Sequence, residues 1–160
     1  MKKICFIVVL FTLLGPFVVA QTLVLQQGDI IAGLVVNEYT KSTSSLYLPP
    51  NFRTDTAWPL KVVFDVNGKE KQALSMFVLA AEKEGYILAA PKMVDTLSLT
   101  NNMLLTGKTI EEVINMLPIK QGRVYAAGAS SGGRFATLVP IFIKGVKGAI
   151  SIGASLANRE

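Results

Sequence analysis

The chain contains no histidine and one cysteine, Cys5, among its 160 residues. Charged residues make up only 17%, and the basic ones are scattered rather than gathered into a run. Each shortage excludes something. With no imidazole and a single thiol there is no zinc site of the usual composition, so neither a metal nor a cofactor is expected. A lone cysteine closes no internal disulfide, so the fold must rest on its core. Dispersed lysines and arginines give no reason to expect a nucleic-acid partner. No internal repeat and no low-complexity segment occurs.

What the chain has in quantity is apolar side chains, 51% of all residues. Part of that excess is local. Met1 to Ala20 reads MKKICFIVVLFTLLGPFVVA: two lysines, an apolar run broken at Gly15-Pro16, then small residues at the third and first positions before Gln21. This is the layout of a signal peptide, with cleavage expected after Ala20 and a secreted or periplasmic product that has no membrane attachment once cut. The alternative is an uncleaved anchor, for which the run is short and interrupted by Pro16. Cleavage removes Cys5, Lys2 and Lys3; 14 of the 16 basic residues then face 11 acidic ones, and the formal charge falls from +5 to +3. The remaining residues, 21–160, suffice for one core and hardly for two.

Two β-rich runs come first, Ile30 to Val36 and Ser44 to Leu48, separated by a polar turn at Thr40 to Ser42; the second stops at Pro49-Pro50. They suit an antiparallel hairpin. Asn51 to Trp58 is polar and reads as a loop in which Trp58 is a packing residue. Leu60 to Val66 is almost continuously apolar, as expected of a parallel strand covered on both faces. Lys71 to Glu84 has helical spacing, with Leu74, Phe77, Val78 and Ala81 on one stripe and Gly85 as its stop. Tyr86 to Ala90 is the next strand, ended by Pro91, and Asp95 to Asn102 leads on as a loop or the start of a helix. Thr109 to Leu117 reads as a second helix, with Glu111 and Glu112 in its first turn where the helix dipole favours them. Gly122 to Ala127 is a strand, a helix runs on to Ile143, and Val146 to Ile152 is a last strand. Alternating strands and helices imply right-handed crossovers, hence a mainly parallel sheet with helices on both faces and ligands at the strands' carboxyl ends.

Gly128-Ala129-Ser130-Ser131-Gly132 matches G-x-S-x-G, and its setting is more informative than the pattern. It follows a buried strand and opens a helix. A nucleophilic serine needs that setting, because a tight, strained turn lifts its hydroxyl above the sheet while glycines on either side keep side chains from colliding. Ser130 takes the nucleophile position. The amide of Ser131, at the helix start, points where an oxyanion would form. A second donor is expected from the loop after the first long strand, at Gly68 or Lys69. The competing reading is a glycine-rich turn that binds phosphate or merely connects; it lacks the lysine of a P-loop and the G-x-G-x-x-G spacing. Arg134 reads as a solvated helix residue, Asp65 as a hydrogen-bonding residue of structure, and Glu160 as a surface residue rather than a catalytic acid.

Three stretches carry a resemblance. Leu46-Tyr47-Leu48-Pro49-Pro50-Asn51-Phe52 resembles a "Y-L-P" strand end. Leu60 to Gly68, LKVVFDVNG, stands where an apolar strand ending in His-Gly is found. Gly122 to Gly133, GRVYAAGASSGG, resembles an "R-V-Y-x-x-G-x-S-x-G-G" elbow. The chain thus resembles the N-terminal part of the α/β-hydrolase superfamily, closest in pattern to secreted polyhydroxybutyrate depolymerase and feruloyl-esterase-like serine esterases, over about residues 30–155. The resemblance implies an α/β-hydrolase-like fold and hydrolysis of a small-molecule or polymer ester. Two departures stand out: Asn67 replaces the usual histidine before Gly68, and the family's catalytic acid and histidine follow later strands. Residues 21–160 are therefore expected to be an incomplete domain, truncated after about strand six, with an exposed apolar edge at Val146 to Ile152. On its own this chain is expected to be inactive. A non-catalytic binding protein of the same fold and a serine peptidase remain as alternatives.

Overall fold

A computed structural model describes residues 26–37, 42–94 and 96–154. The leader expected at 1–20 with its cleavage point after Ala20, Thr40 in the first turn, Asp95 and Glu160 lie outside the described residues. The chain forms β1 (Ile30–Asn37), β2 (Ser42–Tyr47), β3 (Trp58–Phe64), α1 (Glu70–Ser75), α2 (Val78–Glu84), β4 (Ile87–Pro91), α3 (Leu99–Met116), β5 (Ile119–Ala129), α4 (Ser130–Phe142) and β6 (Val146–Ile152).

The strands make one sheet in the order β1-β2-β4-β3-β5-β6. β1 and β2 form the expected antiparallel hairpin, and β2 joins β4 antiparallel. From there on the pairs are parallel: β3 with β4, β3 with β5, and β5 with β6. β3 is the pivot. The chain leaves it for β4 on one side and returns to β5 on the other, so right-handed crossovers must lay their helices on opposite faces. Two separate core clusters reflect this. One packs Phe64, Val62 and Ala126 under α3 and α4; the other packs Val63, Leu88 and Ala127 under α1 and α2. Alternation along β3 supplies both, with Leu60, Val62 and Phe64 pointing one way and Val63 the other.

Four sequence expectations shift. β3 ends at Phe64 rather than Val66, because the Asp65 carboxylate accepts the amides of Asn67 and Lys69 and folds the chain into a turn. The helix expected over 71–84 is broken in two. Phe77 sits at φ −110°, ψ −4° between the halves, which lets Leu74, Phe77 and Ala81 all reach the same core cluster. The helix expected from Thr109 begins ten residues earlier, capped by the Ser98 hydroxyl, which accepts from the Asn101 amide. Glu111 and Glu112 therefore lie deep in α3, and the dipole reading of them fails. The polar stretch Thr100 to Asn102 and Gly107 hid this helix. Asn102 is buried and ties the preceding loop through Val94 and Leu97, while Thr106 and Thr109 return their hydroxyls to the carbonyls of Asn102 and Leu105. β5 is likewise longer than expected, starting at Ile119.

Trp58 is a packing residue, buried against Phe52 with its indole N–H donating to the Arg53 carbonyl. Tyr47 ties β2 to α2 by donating to Glu82 Oε1 at 2.6 Å; burial first, and that carboxylate second, push its phenol up to about 12. β6 pairs only with β5 among the described residues, and Ile150 and Ile152 stand exposed on it.

Lys61 is the one lysine among the buried polar residues described, 8% exposed, on β3 beneath α1 and α2. Its amine lies 4.3 Å from the Tyr86 ring centroid and 5.8 Å from that of Phe77. The rings offset part of the cost of burying the charge. Burial holds its pKa below the ordinary 10.5, and the Glu84 carboxylate opposes that shift. In the window between the lowered value and 10.5 the unfolded chain binds more protons, so stability should rise with pH there. Denaturant midpoints followed into the alkaline range should show this rise in the parent and lose it in Lys61→Met, which should be at least as stable at neutral pH.

Candidate functional site

The carboxyl ends of β3 and β5 meet at the sheet's pivot, where a parallel α/β sheet opens a crevice. Two segments occupy that rim: the Asp65–Lys69 turn after β3, and the Gly128–Gly133 junction between β5 and α4. Ala129 is still extended, at φ −114°, ψ 149°, and the next residue begins α4. Ser130 makes the reversal with φ +50°. It is the single non-glycine residue with positive φ among those described. A left-handed serine costs about 1–2 kcal/mol, which the surroundings must supply.

The surroundings are three glycines in close backbone contact. A Cβ on Gly132 would lie 2.1 Å from the Phe64 carbonyl oxygen. On Gly128 it would lie 2.5 Å from the Gly132 carbonyl, and on Gly133 2.8 Å from the Gly128 oxygen. The start of α4 is thus pressed against the last residue of β3, and no larger residue fits at the contact. This puts Ser130 beside the Asp65 turn. Its side chain is exposed and makes no hydrogen bond among the described residues. The Ser131 amide, in the first turn of α4, has no acceptor within the helix, since the first four N–H groups of any helix have none.

The second expected donor is differently placed. The Lys69 amide donates to Asp65 Oδ1 at 3.2 Å, and the Gly68 amide reaches the Asp65 carbonyl at 3.4 Å. Both candidates are engaged within their own turn. Asp65 has the structural role read for it, holding the turn through the Asn67 and Lys69 amides. Gly68 has φ +70°, and a Cβ there would come within 3.0 Å of the Met93 carbonyl, so this turn also rests on the loop after β4. Asn67 is exposed at its tip, and Arg134 lies on the exposed side of α4. Ser130 and Ser131 follow the carboxyl end of β5, and Gly68 and Lys69 follow that of its neighbour β3; the capping of Lys69 by Asp65 was not legible, though an Asp two residues before Asn-Gly is a known turn-former. No group of His, Cys, Asp or Glu suited to a metal ion occurs among the described residues.

No family model and no curated protein matches the sequence. Solved structures do match. The chain is similar to an esterase from Pyrobaculum calidifontis, with TM-score 0.60 and 14% identity over 78% of this chain and 44% of that one. It is similar to an acetyl xylan esterase from Aspergillus awamori, with TM-score 0.57 and 15% identity over 79% of this chain and 53% of the other. A third likeness is to esterase 2 of Thermogutta terrifontis phosphonylated by sarin, with TM-score 0.56 and 12% identity over 79% and 54%. At such identities the likeness speaks to architecture. The protein has the α/β-hydrolase fold. It spans about half the length of these structures.

The contact at Gly132 gives the site its shape. Gly132→Ala should destabilise the fold by about 2–4 kcal/mol, because the neighbour is backbone that cannot move aside. Ser130→Gly should instead stabilise it by about 1 kcal/mol through relief of the left-handed strain. Urea denaturation of both variants checks the pair.

Proposed function

We propose that this chain belongs to a serine ester hydrolase of carboxylesterase type, with Ser130 as its nucleophile. The observation that carries the reading is the left-handed Ser130 at a strand-to-helix junction on the carboxyl rim, its hydroxyl exposed. That is the geometry of a nucleophile elbow. Ser130 Oγ would attack an ester carbonyl carbon and release the alcohol. Water would then cleave the acyl-serine. The Ser131 amide would meet the developing oxyanion. Gly68 or Lys69 would add a second bond once the turn exchanges its hydrogen bond with Asp65 for one to the substrate.

A serine needs a base, and the chain holds no histidine. In this proposal a histidine base and an orienting Asp or Glu come from sequence beyond Glu160, and the leader at 1–20 directs a secreted or periplasmic product. The Lys69 amide, already bonded to Asp65, favours a second reading: a non-catalytic protein that binds ligands at the same rim. A serine peptidase shares the elbow and differs in substrate.

The coding sequence after codon 160 separates these. A histidine in a loop after further strand–helix units supports the enzyme; an immediate stop leaves the non-catalytic reading. The product of the full reading frame should hydrolyse short-chain p-nitrophenyl esters faster than peptide amides and should react with a fluorophosphonate. Ser130→Ala should abolish labelling and lower kcat by about 10⁴-fold or more. Retained turnover in that variant would exclude Ser130 as nucleophile. The 160-residue chain alone should show neither activity.

A further inference from the structure

A second concavity lies away from the Ser130 junction. A cavity of about 1340 Å³ runs along α3 from Leu99 to Glu111 and is also lined by Phe142 at the end of α4 and by Ile143 and Lys144 beyond it. Its walls include Val94 and Leu97 from the loop after β4, Leu104 on α3, and Phe142. Leu104 is 65% and Phe142 63% exposed, so large apolar side chains face solvent across it. Continuous apolar surface of this kind marks a binding surface more often than idle exterior. Ser130 begins α4 and Phe142 ends it, about 18 Å away along the helix axis. The groove thus reaches from the loop after β4, on which the Asp65 turn rests, to the end of α4 remote from Ser130; none of its lining residues belongs to the Ser130 junction, and its use does not depend on the proposed ester chemistry.

Charge decides what would suit it. Lys92, Lys108 and Lys144 line the groove, against a single carboxylate, Glu111. Lys108 is committed to Glu111 at 2.7 Å, whereas Lys92 and Lys144 make no ion pair among the described residues. A long apolar trough edged by two uncommitted amines complements an amphiphile with an alkyl tail and one anionic head. We propose that this groove binds a long-chain carboxylate, its tail along Val94, Leu97, Leu104 and Phe142 and its head at Lys92 or Lys144. A neutral lipid would leave the amines unused, and a small anion would leave the apolar walls in water.

Titrating the product of the full reading frame, carrying Ser130→Ala so that no ester is turned over, with dansyl-labelled undecanoic acid and in parallel with its methyl ester tests this by fluorescence. Saturable binding with a blue-shifted emission is expected, tighter for the acid than for the ester. Lys92→Glu combined with Lys144→Glu should weaken the acid about tenfold and leave the ester little changed, the loss of a charge-assisted contact. Leu104→Asp should weaken both; since all three positions are exposed, circular dichroism should show the variants folded. Absence of saturable binding, equal affinity for acid and ester, or indifference to Leu104→Asp would each overturn the proposal. So would sedimentation showing that the chain self-associates through this face, with Leu104→Asp restoring monomers and no probe bound, since the occupant would then be a second copy.

Discussion

The fold turns on one backbone contact: the start of α4 against the carbonyl end of β3, at Gly132 and Phe64. Nothing larger than hydrogen fits between them. That closeness lets α4 leave β5 at a sharp angle and lie back over Phe64, where Phe135 meets its ring at a centroid distance of 5.0 Å. The same closeness forces the reversal into a single residue, Ser130, whose strained φ is sustained by packing on either side. A strained serine on a rigid platform is held in one geometry, which the proposed nucleophile role would require.

The Asp65 turn is the other half of the rim, and it is tied to the same contact, since Gly132 also lies against the Asp65 backbone. Its carboxylate stops β3 by offering the Asn67 and Lys69 amides an acceptor that a strand could not supply. The turn is thus self-satisfied. Any ligand oxygen that recruits Lys69 must compete with a charged acceptor already in place, which is a stronger rival than water. In the proposed reaction, local stability of this turn and readiness for an oxyanion would work against each other.

Away from the rim the sheet is well covered at its centre and thinly covered at β6. Leu60, Val62 and Leu88 are wholly buried, while Ile150 and Ile152 face solvent on a strand with one described neighbour. An uncovered parallel edge with apolar side chains is a surface that sheets elsewhere pair or protect. The groove along α3 is a second apolar exposure, distinguished by the lysines that edge it.

The apolar run of β3, the helix stop at Gly85, the strand end at Pro91, and the G-x-S-x-G after a buried strand were enough to settle the order of elements, the parallel sheet and the place of Ser130. These are local signals, governed by side-chain periodicity and by which residues tolerate a tight turn. Where long-range packing decides, the sequence was mute. The sequence shows α3 at half its length because Asn102, Thr106 and Thr109 look polar; Thr106 and Thr109 are buried by bonding to carbonyls of their own helix, whereas Asn102 needs the folded loop at Val94 and Leu97 for its partners. The break at Phe77 follows from a core that demands Leu74, Phe77 and Ala81 together. The engagement of Lys69 by Asp65 likewise emerges only once the end of β3 is fixed, since a side chain four residues away reaches that amide in a turn and not in an extended strand.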